Sequence, residues 1–250
     1  MKDIVGKQKL KDKVAIVTGG GKGIGRAIVL GFAKEGAGVV VGGRTISYLE
    51  EVCREARSMG AASLPVRVDV SVEQEAEKMV GEALKVFGKV DILVNNAGIS
   101  GPLGLITGIS QEAWDEVLDT NLKGMFLCSR AVLKNMMERR SGNIINLSSG
   151  AGWRGSGVRS LPYNVSKFGV EGLTHALALQ MKPYRICVNA LRPGRHDTDF
   201  HKDSPPEYRV GMRKPGDVSQ LAVFLALQTV DTMTGESIDL AEWEKKFQKD

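Results

Sequence analysis

Residues 13–35 read KVAIVTGGGKGIGRAIVLGFAKE, and their reading decides the fold. Val14 to Val17 is a short unbroken apolar run, the pattern of a strand buried on both faces. Arg26 to Glu35 carries its apolar residues at helical spacing. Glycines fill the junction between the two. A strand that feeds a helix through a glycine-rich turn is the first half of a parallel βαβ unit.

Working outward, the same alternation repeats. GVVVGG (38–43) reads as a strand and residues 46–59 as a helix with polar and apolar faces. LPVRVDV (64–70) is a third strand, followed by a helix over 72–87. VDILVNNAG (90–98) is a fourth strand ending in glycine. Residues 110–138 read as one long helix, with Ser110 as its cap and Ala113 where a full capping box would need Glu or Gln. GNIINLSS (142–149) is a fifth strand, then a helix over 163–181. RICVNALRPG (185–194) is a sixth strand, residues 216–229 form a helix, and ESIDL (236–240) is a final short strand. Strict alternation of this kind predicts an α/β fold: a single-domain, doubly wound, mostly parallel sheet of about seven strands with helices on both faces. No repeat or composition break divides residues 1–250, so one domain is expected. Residues 1–11 read as a solvated N-terminal lead-in, and about 195–215 as a substrate lid, because long irregular segments inside α/β domains usually serve function.

Bulk composition narrows the function classes. The 250 residues carry a net charge of +5 with 42% hydrophobic residues, a globular balance. The basic stretch KQKLKDK (7–13) lacks interleaved aromatics, which argues against nucleic-acid binding. Cys53, Cys128 and Cys187 are far apart, so neither a disulfide framework nor a zinc site is expected. No apolar run reaches the roughly 18 residues of a membrane span, and no signal core opens the chain, so a cytoplasmic protein is the expectation. No cluster of His, Asp and Glu has metal-ligand spacing.

The glycines carry the first chemistry. Gly19, Gly23 and Gly25, with Lys22 and Ile24 among them, stand where backbone must approach a ligand and where a helix N-terminus aims N–H groups at an anion. A dinucleotide pyrophosphate suits such a loop. The second strand ends in Gly42, Gly43 and Arg44. It therefore lacks the carboxylate that would bind the ribose 2′-hydroxyl of NAD(H). Lys22 and Arg44 together can clamp a 2′-phosphate, so NADP(H) is expected in preference to NAD(H). Asp69 follows the third strand, where it either bonds the adenine amino group with the Val70 backbone or caps the next helix.

The chain also resembles the short-chain dehydrogenase/reductase family, in its compact single-domain, Rossmann-type form. TGGGKGIG (18–25), NNAG (95–98), Asn121 in NLKG, Ser149 in INLSS, Tyr163 with Lys167, and RPG (192–194) carry the resemblance, in the family's order, over roughly residues 10–240. The resemblance implies an oxidoreductase similar to 3-oxoacyl-thioester reductases, moving a hydride between the cofactor and a carbonyl or secondary alcohol. It implies Tyr163 as general acid/base. A free tyrosine titrates near ~10, and an ammonium one helical turn away lowers that value. Lys167 would also hold the nicotinamide ribose. Ser149 would polarise the substrate oxygen. Asn121 would hold a water that relays protons from Lys167. Asn96, Ala97 and Gly98 would wall the adenine ribose, and Pro193 and Gly194 would turn the chain beneath the nicotinamide. Thr198 would bond its carboxamide or a phosphate. The Ser149–Tyr163 interval is one residue longer than the family's usual interval, and alternation along the fifth strand lets only one of Ser148 and Ser149 face the cleft. The resemblance also implies a homo-oligomer, dimer or tetramer, through the helices at 110–138 and 163–181, with HALALQM (175–181) as a candidate face. The charged ending AEWEKKFQKD departs from the family's apolar one.

His175 reads as a packed or partly exposed helix residue, and His196 and His201 as solvated loop histidines. Trp153 either lines the cleft or supports the loop after Ser149. The alternative functions are a nicotinamide-dinucleotide-binding regulator without turnover, and an NAD-dependent alcohol dehydrogenase. An epimerase would need a second domain for which this chain has no room.

Overall fold

The structure is a computed structural model that describes residues 8–157, 160–201 and 209–247. Seven strands form one sheet: β1 (Val14–Thr18), β2 (Gly38–Gly43), β3 (Ser63–Arg67), β4 (Ile92–Asn95), β5 (Gly142–Leu147), β6 (Ile186–Arg192) and β7 (Ser237–Asp239). Their order is β3-β2-β1-β4-β5-β6-β7, and every pairing is parallel. The expected fold class is observed, and the sheet is parallel throughout.

Alternation along the strands sorts their side chains into two cores. Ala15, Val17, Val39, Val41, Ile92, Val94, Ile145 and Leu147 pack on one face with Ile28, Phe32 and Leu221. Ile16, Val40, Leu93 and Ile144 pack on the other with Met79, Val132 and Met136. Helices α1 (Gly23–Lys34), α2 (Ile46–Ser58), α8 (Val218–Ala226) and α9 (Leu240–Phe247) feed the first core. Helices α3 (Glu73–Phe87), α5 (Gly124–Arg139) and α7 (Leu161–Met181) feed the second. Two short helices, α4 (Gln111–Leu118) and α6 (Ala151–Arg154), lie near the carboxyl ends of the strands. Since β2 and β4 flank β1 on opposite sides, the chain reverses its winding there. That reversal opens a crevice beyond the carboxyl ends of β1 and β4.

Three local expectations change. The long helix of 110–138 is two helices joined by a π-helical turn at Asp119–Lys123, although Ser110 caps it as expected by accepting from the Ala113 N–H. The physical reason is tertiary: buried Asn121 is drawn inward to bond residues 99 and 166, a demand that helical periodicity does not encode. The N-terminal lead-in belongs to the fold from residue 8 onward. Leu10 is fully buried, and its N–H donates to the Glu35 carbonyl; residues 1–7 of the lead-in lie outside the described residues. The C-terminal segment forms α9, docked by buried Leu240 and Trp243, with Phe224, Trp243 and Phe247 in mutual ring contact.

Candidate active site

The glycine loop is pinned from both sides. Asn96 Nδ2 donates to the Thr18 and Gly19 carbonyls at 2.9 and 3.1 Å. Thr18 Oγ1 accepts from the Asn96 and Ala97 N–H groups at 3.0 and 3.1 Å. The end of β4 is thereby fastened to the end of β1. Gly19 takes φ +63° and Gly23 φ +54°, in the left-handed region. At Gly25 a Cβ would lie 2.2 Å from the Gly19 carbonyl oxygen, so only glycine closes this turn. Helix α1 starts without a side-chain cap and without an acidic residue in its first turn. Its leading N–H groups therefore remain available to an anion.

These atoms line a cleft of about 580 Å³. Of the expected residues, the structure gathers there Gly19, Lys22, Gly23, Ile24, Gly25, Arg44, Asn96, Ala97, Gly98, Ser149, Tyr163, Lys167, Pro193, Gly194 and Thr198. Asp69, Val70 and Asn121 do not line it. Asp69 Oδ1 accepts from the Ser71 N–H and hydroxyl at 3.0 and 2.7 Å, and the Ser71 hydroxyl holds the Asp69 carboxyl below the usual carboxylate range. Val70 is buried against Gly124. Asn121 Oδ1 accepts from the Ile99 N–H at 2.8 Å, and its Nδ2 donates to the Ile99 carbonyl and to Ser166 Oγ at 2.9 and 3.1 Å. Its side chain is thus occupied as a brace between the loop after β4 and α7, where the sequence suggested a water-holding role.

Helix α7 delivers the central pair. Ser160 caps it by accepting from the Tyr163 N–H at 3.3 Å, which places Tyr163 and Lys167 one turn apart. Lys167 Nζ stands 5.6 Å from the Tyr163 ring centroid and donates to the Leu147 carbonyl at 2.6 Å. Burial pushes the Lys167 ammonium down to about 8, while the Glu171 carboxylate pulls it upward. Tyr163 is itself buried, its ring tilted against Phe200 at 5.5 Å. Ser148 and Ser149 follow the end of β5 and both line the cleft, so alternation does not leave only one of them facing it; their hydroxyls differ in their partners. The Ser148 hydroxyl donates to the Glu171 carboxylate. Ser149 Oγ instead accepts from the Ala151 N–H at 3.2 Å, beside the cleft.

Sequence reasoning missed several lining residues: Ile99, Ser100, Leu147, Ser148, His196, Asp199 and Phe200. Ile99 and Leu147 adjoin motifs already singled out, and adjacency was the available signal. His196 is the clearest correction. It is 1% exposed rather than solvated, and neither ring nitrogen has a hydrogen-bond partner within bonding distance among the described residues. Burial, aided by the Arg213 cation, holds its pKa below the ordinary value. Of the expected lid, the described part forms a short bridge between His196 and Arg213; residues 202–208 lie outside the described residues. Lys22 reaches across to Asp199 at 3.0 Å and lies over the Tyr48 ring, and the Asp199 carboxylate raises its pKa. Trp153 is 59% exposed and stacks on the Arg192 guanidinium at 5.0 Å, away from the cleft lining.

This geometry has known counterparts. A family model described as short chain dehydrogenase matches residues 13–209. A 3-oxoacyl-[acyl-carrier-protein] reductase FabG of Thermotoga maritima is 33% identical, covering 93% of this chain and 97% of its own. A FabG of Staphylococcus epidermidis is 36% identical, covering 91% and 96%. Among solved structures, levodione reductase superposes with a TM-score of 0.87 at 28% identity, covering 95% of this chain and 99% of the other. A protein described as a putative short-chain alcohol dehydrogenase of Sinorhizobium meliloti superposes with a TM-score of 0.83 at 31% identity, covering 94% and 97%.

Proposed function

The chain belongs to the short-chain dehydrogenase family of oxidoreductases, which bind a nicotinamide dinucleotide, and on that premise we propose that it moves a hydride between NADP(H) and a carbonyl or secondary-alcohol substrate, with Tyr163 as general acid/base. The observation that carries the reading is the convergence of Ser149, Tyr163 and Lys167 on the cleft that the glycine loop opens. The cleft's donor set fits the cofactor: an uncapped helix N-terminus for the pyrophosphate, Lys167 for the ribose, and Arg44 at the carboxyl end of β2. No carboxylate stands at that strand end, and Arg44 and Lys22 supply cations for a 2′-phosphate. The names of the FabG relatives support the reductive direction.

When bound, the cofactor supplies or accepts the hydride. The protein's part is proton handling and orientation. Tyr163 donates its hydroxyl proton to the substrate oxygen in reduction and recovers it in oxidation. The Lys167 ammonium stabilises the phenolate left behind. Ser149 donates a hydrogen bond to the same oxygen as negative charge builds on it. Phe200 and Ile99 supply apolar wall beside Tyr163 and limit the water that reaches it.

Exposed Phe126 on α5 and Val165, Phe168 and Leu179 on α7 support assembly of several copies, which sedimentation measures directly. The HALALQM face is divided, because Leu179 is exposed while Ala178 and Met181 are buried. The decisive experiment follows NADPH and NADH oxidation over a panel of ketones that includes 3-oxoacyl thioesters. Tyr163→Phe is expected to lose at least ~100-fold in kcat while still binding cofactor. Full activity in that variant removes the proposed acid, and cofactor binding without turnover of any carbonyl points to a regulator.

A further inference from the structure

Helix α7 extends the catalytic row by one more turn. Tyr163, Lys167 and Glu171 follow at i, i+4 and i+8, so all three share a face. Glu171 is half-buried, and its Oε1 accepts two hydroxyls from different strands: Ser148 at the end of β5, and Ser237 on β7 at 2.9 Å. The carboxylate is thus fixed to the sheet rather than free to turn toward solvent. It engages the Ser148 hydroxyl, so although both adjacent serines line the cleft, the Ser149 hydroxyl is the one not tied to this carboxylate.

Lys167 needs a counter-charge in that position. It is 4% exposed, and an ammonium taken from water is unfavourable unless a negative group answers it. From its own helix it faces the Tyr163 phenol and Glu171. From β5 it meets the Leu147 carbonyl, which is neutral. From α6 it meets the backbone at Gly152, where a Cβ would come 2.5 Å from the Lys167 carbonyl oxygen and which therefore brings no side chain. Asn121, bonded to Ser166 beside it, is also neutral. Among the described residues, Glu171 is the charged group whose field reaches Lys167.

We propose that Glu171 is a positioning residue that keeps Lys167 an ammonium, in register with Tyr163, over the pH range of turnover. The proposal rests on the reading of Tyr163 as the acid. Glu171 touches no reacting atom. It acts through Lys167 by charge and through Ser148 by geometry.

The test compares wild type, Glu171→Gln, Glu171→Asp and a Ser148→Ala/Ser237→Ala double variant. Two quantities are measured: the alkaline limb of kcat/KM for NADPH-dependent ketone reduction, and the Nζ titration of Lys167 in cofactor-free protein by NMR, assigned with Lys167→Met. Glu171→Gln keeps the size and the hydrogen-bond acceptor but removes the charge. It should move both the limb and the Nζ titration about one pH unit toward acid. Glu171→Asp should recover part of that shift. A uniform loss of rate at every pH, with the Lys167 titration unmoved, reduces Glu171 to a structural brace and overturns the proposal. If Glu171→Gln does not fold, the double variant decides. It retains the charge but releases the carboxylate, so an acid shift supports the proposal and an unshifted titration defeats it. Absence of carbonyl turnover in wild type counts against the functional reading alone, because the NMR titration still reports on Glu171.

Discussion

Lys167 shows how one buried side chain sets pH behaviour. Its pKa falls from an ordinary 10.5 to about 8 on burial. Between those values the unfolded chain binds the proton that the folded chain has released, so stability rises with pH across that window and the penalty is fully present below it. The shift corresponds to roughly 3 kcal/mol. Denaturation of wild type and Lys167→Met at pH 7.5 and 10 should show wild type gaining on the variant by an amount of that order. Taking the difference cancels buried Cys128, pushed up to about 12 by burial, whose contribution has the opposite sign. At this scale the sequence was legible where a residue type carries its chemistry into a fixed helical spacing, as Tyr163 and Lys167 do. It was not legible at His196, because a histidine in an irregular segment shows no periodicity that separates a buried ring from a solvated one.

At the scale of elements, the junctions matter more than the segments they join. The β1–α1 turn closes because Gly25 has no side chain. Gly25→Ala would drive a methyl to 2.2 Å from the Gly19 oxygen and 2.5 Å from Asn96 Nδ2. Chemical denaturation should show a loss of about 1–3 kcal/mol, and dinucleotide titration a weaker affinity, because the loop and the β4 end must separate. A second junction lies at the opposite ends of the strands. Asp91, 4% exposed, accepts from the Val14 N–H at 2.9 Å and pairs with Arg139 and Lys89. Burial pushes its carboxyl up, but Arg139, the Val14 N–H and Lys89 together hold it below the usual value. Its stabilisation is therefore present above the unfolded pKa and fades as pH drops through the lowered folded one. Asp91→Asn should cost about 3 kcal/mol at pH 7, progressively less in acid, and leave KM unchanged because the site is remote. The π-helical turn at Asp119–Lys123 escaped the sequence reading because hydrogen bonds to Asn121 from outside the helix decide it.

The molecule as a whole was largely legible because a parallel sheet covered on both faces leaves a strong signature: unbroken apolar strands separated by amphipathic helices. The docking of α9 was not legible. Trp243 and Phe247 are spaced like any amphipathic stripe, and only the assembled fold brings Phe224 of α8 to meet them. Ligand binding acts at this scale too, since a group that binds only the native state stabilises all of it, by about 2.7 kcal/mol at a hundredfold excess over Kd. NADPH should therefore raise Tm more than NADH does. Arg44→Ala should erase the difference by weakening NADPH about tenfold while sparing NADH, and an equal response of the parent protein to both would exclude the 2′-phosphate assignment.

Strand order has a consequence for how the chain is made. β1 is the first element after the lead-in, yet one of its edges waits for Ile92–Val94, which pair with Ala15–Val17. While synthesis runs through that interval, the apolar run Val14–Val17 stands with one flank bare, and such a flank can recruit neighbouring chains. The β1–β4 pairing joins segments more than seventy residues apart in the chain, and the loop-closure entropy of so distant a contact works against its early formation.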